Sequence, residues 1–158
     1  MVAGFDSIGC ALAHGAVEPA ADRRALVAVF DSPVATHLMH IAATLGYRVA
    51  LAEPDLAGVT IDAETDVVVC DHDRPELGVA LQAALASPAR WIGVMGSPRH
   101  TGPHIAALRE LGVAEADIAR VHRPIGLNIG SKTPAEIALA TLAGLIADRN
   151  DRPGGFTF

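Results

Sequence analysis

Short, continuous apolar runs recur along the chain and constrain its fold more than any other feature. They lie within Leu26–Phe30, Arg48–Ala52, Asp66–Cys70 and Arg90–Met95. Runs of this kind are typical of strands that are buried on both faces of a parallel sheet. Apolar residues at helical spacing separate them, and Val121–His122 suggests a brief fifth strand. We therefore predict an α/β fold, a Rossmann-like three-layer sandwich with a mainly parallel sheet of about five strands.

The turn after the first predicted strand bears on dinucleotide binding. It reads Asp31-Ser32-Pro33, which predicts a helix start but lacks the glycines that let a backbone approach a pyrophosphate. Glu53 follows about 20 residues later, where Rossmann proteins bind a ribose hydroxyl. Two interpretations stay open: an NAD(P) site, which the missing glycines disfavour, and an ordinary carboxylate at a strand end, which we prefer.

Three titratable residues follow the third predicted strand in the sequence Asp71-His72-Asp73. The carboxyl ends of parallel strands border the crevice in which open α/β sheets bind ligands. The triplet suits acid–base chemistry or a metal, although one cluster supplies too few fixed ligands to predict a metal site. For Asp73 we favour a structural role as a helix cap ahead of Pro75, and His72 is a candidate site residue.

Two later loops are candidate anion sites. After the fourth strand, Gly96–His100 forms a glycine-serine turn, and we predict a helix from about Pro98 to Leu111. Farther on, Thr133–Glu136 has the pattern of a capping box and predicts a helix from about Pro134 to Asp148. The free N–H groups of that helix would face Ser131 and Lys132, the only lysine, and would favour a phosphate or carboxylate.

Composition limits the classes of protein to which the chain can belong. The 158 residues are 51% hydrophobic and suit one compact domain. A net charge of −6 argues against a general nucleic-acid or anionic membrane surface. Cys10 and Cys70 are too few for a disulfide scaffold or a zinc site. No apolar run approaches the ~18 residues of a spanning helix, so we expect a cytoplasmic protein without a membrane partner.

We divide the chain into three parts. Residues 1–25 form an N-terminal extension without a decisive pattern, residues 26–149 form the Rossmann-like domain, and residues 150–158 form a polar, glycine-rich tail.

With these segments assembled, the chain resembles the carboxyl-terminal Rossmann domain of the XdhC/CoxI family. Members are accessory proteins for molybdenum-cofactor enzymes such as xanthine dehydrogenase and carbon monoxide dehydrogenase. The resemblance covers about Leu26 to Ala147. It rests on Asp71-His72-Asp73, on Ile92–Arg99, which is like the family's Ile-Gly-x-x-Gly-Ser-Arg-Arg, and on His122–Gly130 followed by Thr133–Ala138.

The resemblance implies an accessory or chaperone-type protein that binds molybdenum cofactor (molybdopterin) or a related nucleotide. The protein would serve the maturation of a molybdenum hydroxylase as a binding protein rather than as an enzyme. The resemblance implies neither a catalytic residue nor a bound metal. Carried over by position, the cofactor site comprises His72, Gly96, Ser97, Arg99, His122, Gly126, Asn128, Gly130 and Lys132.

The expected partner is the client hydroxylase, and nucleic acid is not expected as one. A homodimer, or a separate chain that supplies the family's N-terminal domain, is a further alternative. An NAD(P)-binding oxidoreductase-like protein and a ligand-free interaction domain stay open as other functions.

Overall fold

The structure, a computed structural model, describes residues 5–15 and 22–156. Its strands are β1 (Ala25–Val29), β2 (Arg48–Ala52), β3 (Thr65–Val69), β4 (Trp91–Val94) and β5 (Val121–His122). Its helices are α1 (Phe5–Ala13), α2 (Pro33–Thr44), α3 (Leu77–Ala86), α4 (Pro103–Glu110), α5 (Glu115–Ile118) and α6 (Pro134–Arg149). Parts of the extension predicted over residues 1–25, namely residues 1–4 and 16–21, lie outside the described residues.

The five strands form one sheet in the order β2-β1-β3-β4-β5, and every neighbouring pair is parallel. The prediction of a Rossmann-like α/β fold is confirmed. After β2 the chain returns to the other side of β1, so the winding reverses between β1 and β3. In open parallel sheets this reversal opens a crevice at the carboxyl ends of the strands, where ligands bind.

Helices cover both faces of the sheet at β1, all five residues of which are buried, as such an apolar strand requires. The prediction of two-sided burial is wrong for β2, because it is an edge strand and its Arg48, Val49 and Leu51 are exposed. Alternate residues of β1 enter two cores: Leu26 and Ala28 pack with α2 and α6, whereas Val27 and Val29 pack on the side of α3 and α4. A fully buried Leu or Val side chain contributes roughly 1.5–3 kcal/mol relative to an exposed one. The sheet is therefore a rigid platform for the loops at its carboxyl edge.

Two helices begin at the caps that the sequence predicts. The Oγ of Ser32 accepts the N–H of Ala35 at 3.1 Å at the start of α2. At the start of α6, Thr133 and Glu136 form a reciprocal capping box. Both helices have proline at the first position, where its fixed φ is favourable and its missing N–H costs nothing.

The prediction that a helix begins near Pro98 is wrong, because α4 begins at Pro103. In place of a helical turn, the Oγ of Ser97 accepts the N–H of Arg99 at 3.2 Å. Local bonds from a serine side chain compete with a helix, and the second proline, Pro103, takes the first helical position after Gly102. The segment from Gly96 to Thr101 is therefore a loop between β4 and α4.

A buried ion cluster fixes α6 to the opposite, amino-terminal edge of the sheet. Asp66 of β3 is fully buried and accepts from the Nε of Arg90 at 2.7 Å and from the Nε of Arg149 at 3.0 Å. Because Arg149 is the last residue of α6, this cluster fixes the C-terminal end of the helix at the amino-terminal edge of the sheet. The N-terminus of α6 therefore lies at the carboxyl edge.

The described helices do not include one that is long and apolar enough to cross a membrane. In the tail, Phe156 is 99% exposed.

Candidate functional site

A pocket of about 520 Å³ lies at the carboxyl ends of β3 and β4. The residues after β3 and β4 form one wall, and side chains from the first half of α6 form another. The polar members of its lining are Asp71, His72, Ser97, Ser131 and Thr141. The pocket therefore occupies the edge of the sheet that the fold makes available for a ligand.

In the loop after β3, a backbone hydrogen bond orients the carboxylate of Asp71. The Oδ1 of Asp71 accepts a hydrogen bond from the N–H of Asp73 at 2.9 Å. The Nε2 of His72 lies 3.6 Å from a carboxylate oxygen of Asp73. The expectation that Asp73 caps a helix is wrong: α3 follows Glu76, which makes no side-chain cap, and the side chain of Asp73 is 86% exposed. The bond within the loop engages the Asp73 N–H instead.

The rest of the lining is mainly apolar. It comprises Val34, Cys70, Met95, Ile125 and Ile137, together with Gly96. Burial raises the pKa of the Cys70 thiol to about 12, and its Sγ lies 3.5 Å from the carbonyl oxygen of Val68. The free thiol is therefore protonated at neutral pH.

The N-terminus of α6 provides less anion-binding capacity than its sequence suggests. A carboxylate oxygen of Glu136 accepts the N–H of Lys132 at 2.8 Å and that of Thr133 at 3.2 Å. These backbone bonds lower the pKa of Glu136. The helix thus satisfies these donors with its own carboxylate, while the neighbouring Ser131 borders the pocket.

The structure brings three of the nine predicted site residues, His72, Gly96 and Ser97, together in the pocket. Arg99 and Lys132 are exposed and lie outside the lining, although each is within two positions of a lining serine. They therefore belong to the loops that border the pocket.

His122 lies elsewhere, on the edge strand β5. Its ring stacks on Trp91 with centroids 4.9 Å apart and an interplanar angle of 6°. The two rings line a separate crevice of about 180 Å³ with Arg90 and Arg120. Gly93 makes this arrangement feasible, because a Cβ at that position would overlap the Trp91 ring.

Gly126, Asn128 and Gly130 lie outside the pocket lining, although Ile125 and Ser131 of the same loop belong to it. Gly126 has φ +84°, and a Cβ there would lie 3.0 Å from the backbone nitrogen of Thr141. The close approach to α6 therefore explains this glycine. Asn128 and Gly130 are exposed, and Gly130 has φ +69°.

The turn after β1 is bound to the end of β2 and to the loop after β3. Glu53 accepts the N–H of Asp31 at 2.7 Å and a bond from the Nη2 of Arg74 at 2.5 Å. These bonds lower the pKa of Glu53, and the Arg74 guanidinium lies 4.7 Å from the centroid of the Phe30 ring. Glu53 is thus an internally paired carboxylate, in agreement with the interpretation that we preferred.

Several pocket residues were not among the predicted site residues. They are Val34, Cys70, Asp71, Met95, Ile125, Ser131, Ile137 and Thr141. Asp71 directly follows a predicted strand and Met95 is the last residue of another, so their position at a strand end was a usable signal. The residues of α6 face the pocket only because that helix crosses the sheet, which local sequence does not reveal.

Within residues 5–15 and 22–156, no three His, Cys, Asp or Glu side chains come close enough together to hold a metal ion. The metal alternative at Asp71-His72-Asp73 therefore gains no support from the described part of the chain.

Comparisons with known proteins identify relatives of this chain. Escherichia coli (strain K12) YqeB, described as uncharacterized, is 45% identical over 76 residues, which are 48% of this chain and 14% of YqeB. The molybdenum cofactor insertion chaperone PaoD of the same organism is 28% identical over 111 residues, which are 69% of this chain and 35% of PaoD. The chain thus spans only about a seventh and about a third of these two relatives.

A solved structure from Bacillus halodurans, titled a xanthine dehydrogenase, has the same fold. It superposes with a TM-score of 0.65 at 19% identity, over 85% of this chain and 45% of that chain. The sequence profile of the XdhC Rossmann domain family matches residues 26–145, which are more than two thirds of the sequence. This chain belongs to the XdhC Rossmann domain family.

Proposed function

We propose that this chain binds molybdenum cofactor, or its nucleotide form, and takes part in the maturation of a molybdenum hydroxylase. The observation that carries the proposal is the pocket of about 520 Å³ at the carboxyl ends of β3 and β4. Family membership and the likeness to PaoD, a molybdenum cofactor insertion chaperone, support it.

The lining suits the pterin part of such a cofactor. The pocket volume falls within the roughly 300–1,000 Å³ of small-molecule sites, and the pocket combines apolar walls with a few polar groups. A pterin presents two adjacent N–H donors on its aminopyrimidinone edge, and a carboxylate accepts two parallel N–H bonds, as it does from arginine. Asp71 is the carboxylate in the lining, and its bond to the Asp73 N–H orients it. We assign Asp71 to that edge.

The charged end of the cofactor fits the mouth of the pocket better than its interior. The lining contains neither arginine nor lysine, and Asp71 makes the interior unfavourable for a phosphate. Arg99 and Lys132 are exposed on the bordering loops, beside Ser97 and Ser131. In this proposal the two cations attract the phosphate while the serine hydroxyls offer hydrogen bonds at the rim.

The role is binding and delivery rather than catalysis. Cys70 borders the pocket as a buried thiol that is protonated at neutral pH, so the pocket presents no free thiolate nucleophile. When bound, the cofactor supplies the molybdenum on which a client hydroxylase depends. The chain holds the organic part of the cofactor and limits its contact with water.

Anaerobic isothermal titration of the intact chain with molybdenum cofactor tests the proposal. We expect saturable binding that Asp71→Asn weakens about tenfold, because an amide cannot accept both N–H bonds. The matched control is Asp73→Asn, since that side chain is exposed on the same loop and lies outside the lining. It should bind within about twofold of the wild type, a difference below 0.5 kcal/mol.

An absence of heat and of any shift in melting temperature at excess cofactor would contradict cofactor binding. It would favour the ligand-free interaction domain instead.

A further inference from the structure

A second cavity, of about 340 Å³, lies beside the start of α4, and α5 and β5 contribute to its lining. The charged and titratable side chains around it are His104, Arg109, Glu115 and Arg123, and Gly102 lies at its edge. This cavity shares no lining residue with the pocket at the ends of β3 and β4.

His104 is a buried side chain with unused hydrogen-bonding capacity. It is 5% exposed, and its Nδ1 is buried without a partner. Burial, and secondarily the positive charge of Arg123, lowers the pKa of His104, so the imidazole is neutral near pH 7. Because Nδ1 is enclosed, Nε2 is the nitrogen that remains for a ligand in the cavity.

Arg123 is a half-buried cation without a carboxylate partner in the described part of the chain. Its Nη1 donates to the carbonyl oxygen of His100 at 2.9 Å, whereas its Nε is buried and makes no hydrogen bond. The guanidinium lies directly against the backbone of Gly96, where any Cβ would overlap it. A buried charged donor is costly unless an acceptor or counter-charge meets it.

The remaining charges around the cavity largely cancel. The Nε and Nη2 of Arg109 donate to the carboxylate of Glu115 at 2.6 and 3.0 Å. The unbalanced charge is therefore that of Arg123, and the positive end of the α4 dipole adds to it. The Nε of Arg123 therefore lacks an acceptor, and the buried ring of His104 has no hydrogen bond to a described residue that would compete with a ligand for its Nε2–H.

We propose that this cavity is a second ligand site, which binds the phosphate group of a small phosphate compound. Arg123 supplies the charge and His104 donates a hydrogen bond from Nε2. The volume is near the lower end of the range for small-molecule sites, which suits inorganic phosphate or a compact monoester rather than a dinucleotide. The inference does not rest on the proposed cofactor function, because the two sites have separate linings.

Nitrogen-detected NMR of the histidine rings in the intact chain provides the test. Potassium phosphate and glycerol 3-phosphate are titrated in parallel, with potassium chloride at matched ionic strength as the reference. The exposed His37 and His40 on α2 are internal controls, because they report general effects of salt. Saturation by both ligands indicates a site open to esters, whereas saturation by inorganic phosphate alone indicates a site for the free ion.

We expect saturable shifts of the His104 ring and a rise in its pKa equivalent to about a tenfold gain in proton affinity, because a bound anion favours imidazolium. Arg123→Gln should weaken binding at least tenfold. Arg120→Gln, which changes an exposed arginine outside this lining, should leave it within twofold.

If His104 responds no more than His37 and His40 in the wild type, the proposal is overturned, whether or not Arg123→Gln folds. Binding that survives Arg123→Gln in a folded variant would also overturn it. Cofactor titration at the first pocket is unaffected by either outcome, so the two proposals can fail separately.

Discussion

The carboxylate of Glu53 accepts the backbone N–H of Asp31 at 2.7 Å and so ties the end of β2 to the turn after β1. Arg74 binds the same carboxylate with two guanidinium nitrogens, at 2.5 and 3.2 Å. In dinucleotide-binding Rossmann domains an acidic residue at this place holds a ribose hydroxyl, and the turn after the first strand approaches a pyrophosphate. Here the carboxylate already has partners within the chain.

We therefore predict that the protein does not bind NADPH at this turn. Adding the wild type to NADPH should leave the nucleotide fluorescence without a blue shift or an increase in intensity. Glu53→Gln should behave in the same way, because Asp31-Ser32-Pro33 still lacks glycine. A saturable blue shift with the wild type would restore the oxidoreductase interpretation.

Gly93 is predicted to be indispensable for the packing of β4. A Cβ there would overlap the Trp91 ring and lie 2.8 Å from the Cγ2 of Ile125. Gly93→Ala should cost about 1–3 kcal/mol of unfolding free energy, as overpacking in a core does. Denaturant titration measures the loss, and the fluorescence of Trp91, the only tryptophan, reports whether its stack on His122 changes.

Gly58→Ala is the matched control, because no heavy atom lies within 4 Å of a Cβ at that position. Equal stability losses in the two variants would refute the steric explanation.

The sheet and most helix boundaries were predictable because their signals are local. The all-apolar β1 and the apolar run Val67–Val69 of β3 indicated burial on both faces, and the Thr133–Glu136 capping box indicated the start of α6. The start of α4 was mispredicted because Pro98 and Pro103 both offer a favourable first helical position. The bond from Ser97 to the Arg99 N–H, which favours the later start, depends on the loop conformation.

The candidate site was only partly accessible from sequence. His72, Gly96 and Ser97 lie in the loops that follow β3 and β4, whose carboxyl ends meet at one edge, so parallel topology brings them together. The position of Gly126 depends instead on contact with α6, near Gly144, which is remote in sequence. The neighbouring positions of His104 and Arg123 likewise bring the start of α4 close to the residue after β5, both beside Gly102, and no local pattern indicated them.

Asp66 is predicted to be the most sensitive charged residue outside the pockets. It is fully buried between Arg90 and Arg149, and burial raises its pKa against the opposing effect of the two guanidinium groups. Asp66→Asn leaves two cations facing a neutral amide and should cost about 3–5 kcal/mol, as loss of one partner in a buried ion pair does.

Chemical denaturation provides the measurement. Glu115→Gln, which breaks an exposed pair with Arg109, is the control and should have a much smaller effect. If Asp66→Asn is no more destabilising than this control, the cluster does not anchor α6.

The α6 cap is predicted to weaken in acid. Thr133→Ala removes the acceptor for the Glu136 N–H and should cost about 1 kcal/mol. Backbone bonds from Lys132 and Thr133 lower the pKa of Glu136 below its ordinary 4.5, so its contribution to stability is complete above 4.5. That contribution is lost as pH falls through the lower folded-state pKa.

Unfolding of wild type and Glu136→Gln between pH 7 and pH 3 isolates this contribution. The stability difference between the two should shrink as the pH falls below 4.5. A difference that stays constant over this range would show that the Glu136 charge has no part in the cap.

Cys70 is predicted to be chemically inert although it borders the pocket. Burial raises its pKa from 9.0 to about 12, so at pH 8 only about one molecule in ten thousand carries the thiolate. A thiol reagent should therefore modify the exposed Cys10 of the native protein, whereas Cys10→Ser should react only after denaturation. Because the folded pKa exceeds the unfolded one, stability should fall as pH rises above 9.0 toward 12. Rapid labelling of native Cys10→Ser at pH 8 would contradict the burial of this thiol and would reopen a role for it as a metal ligand.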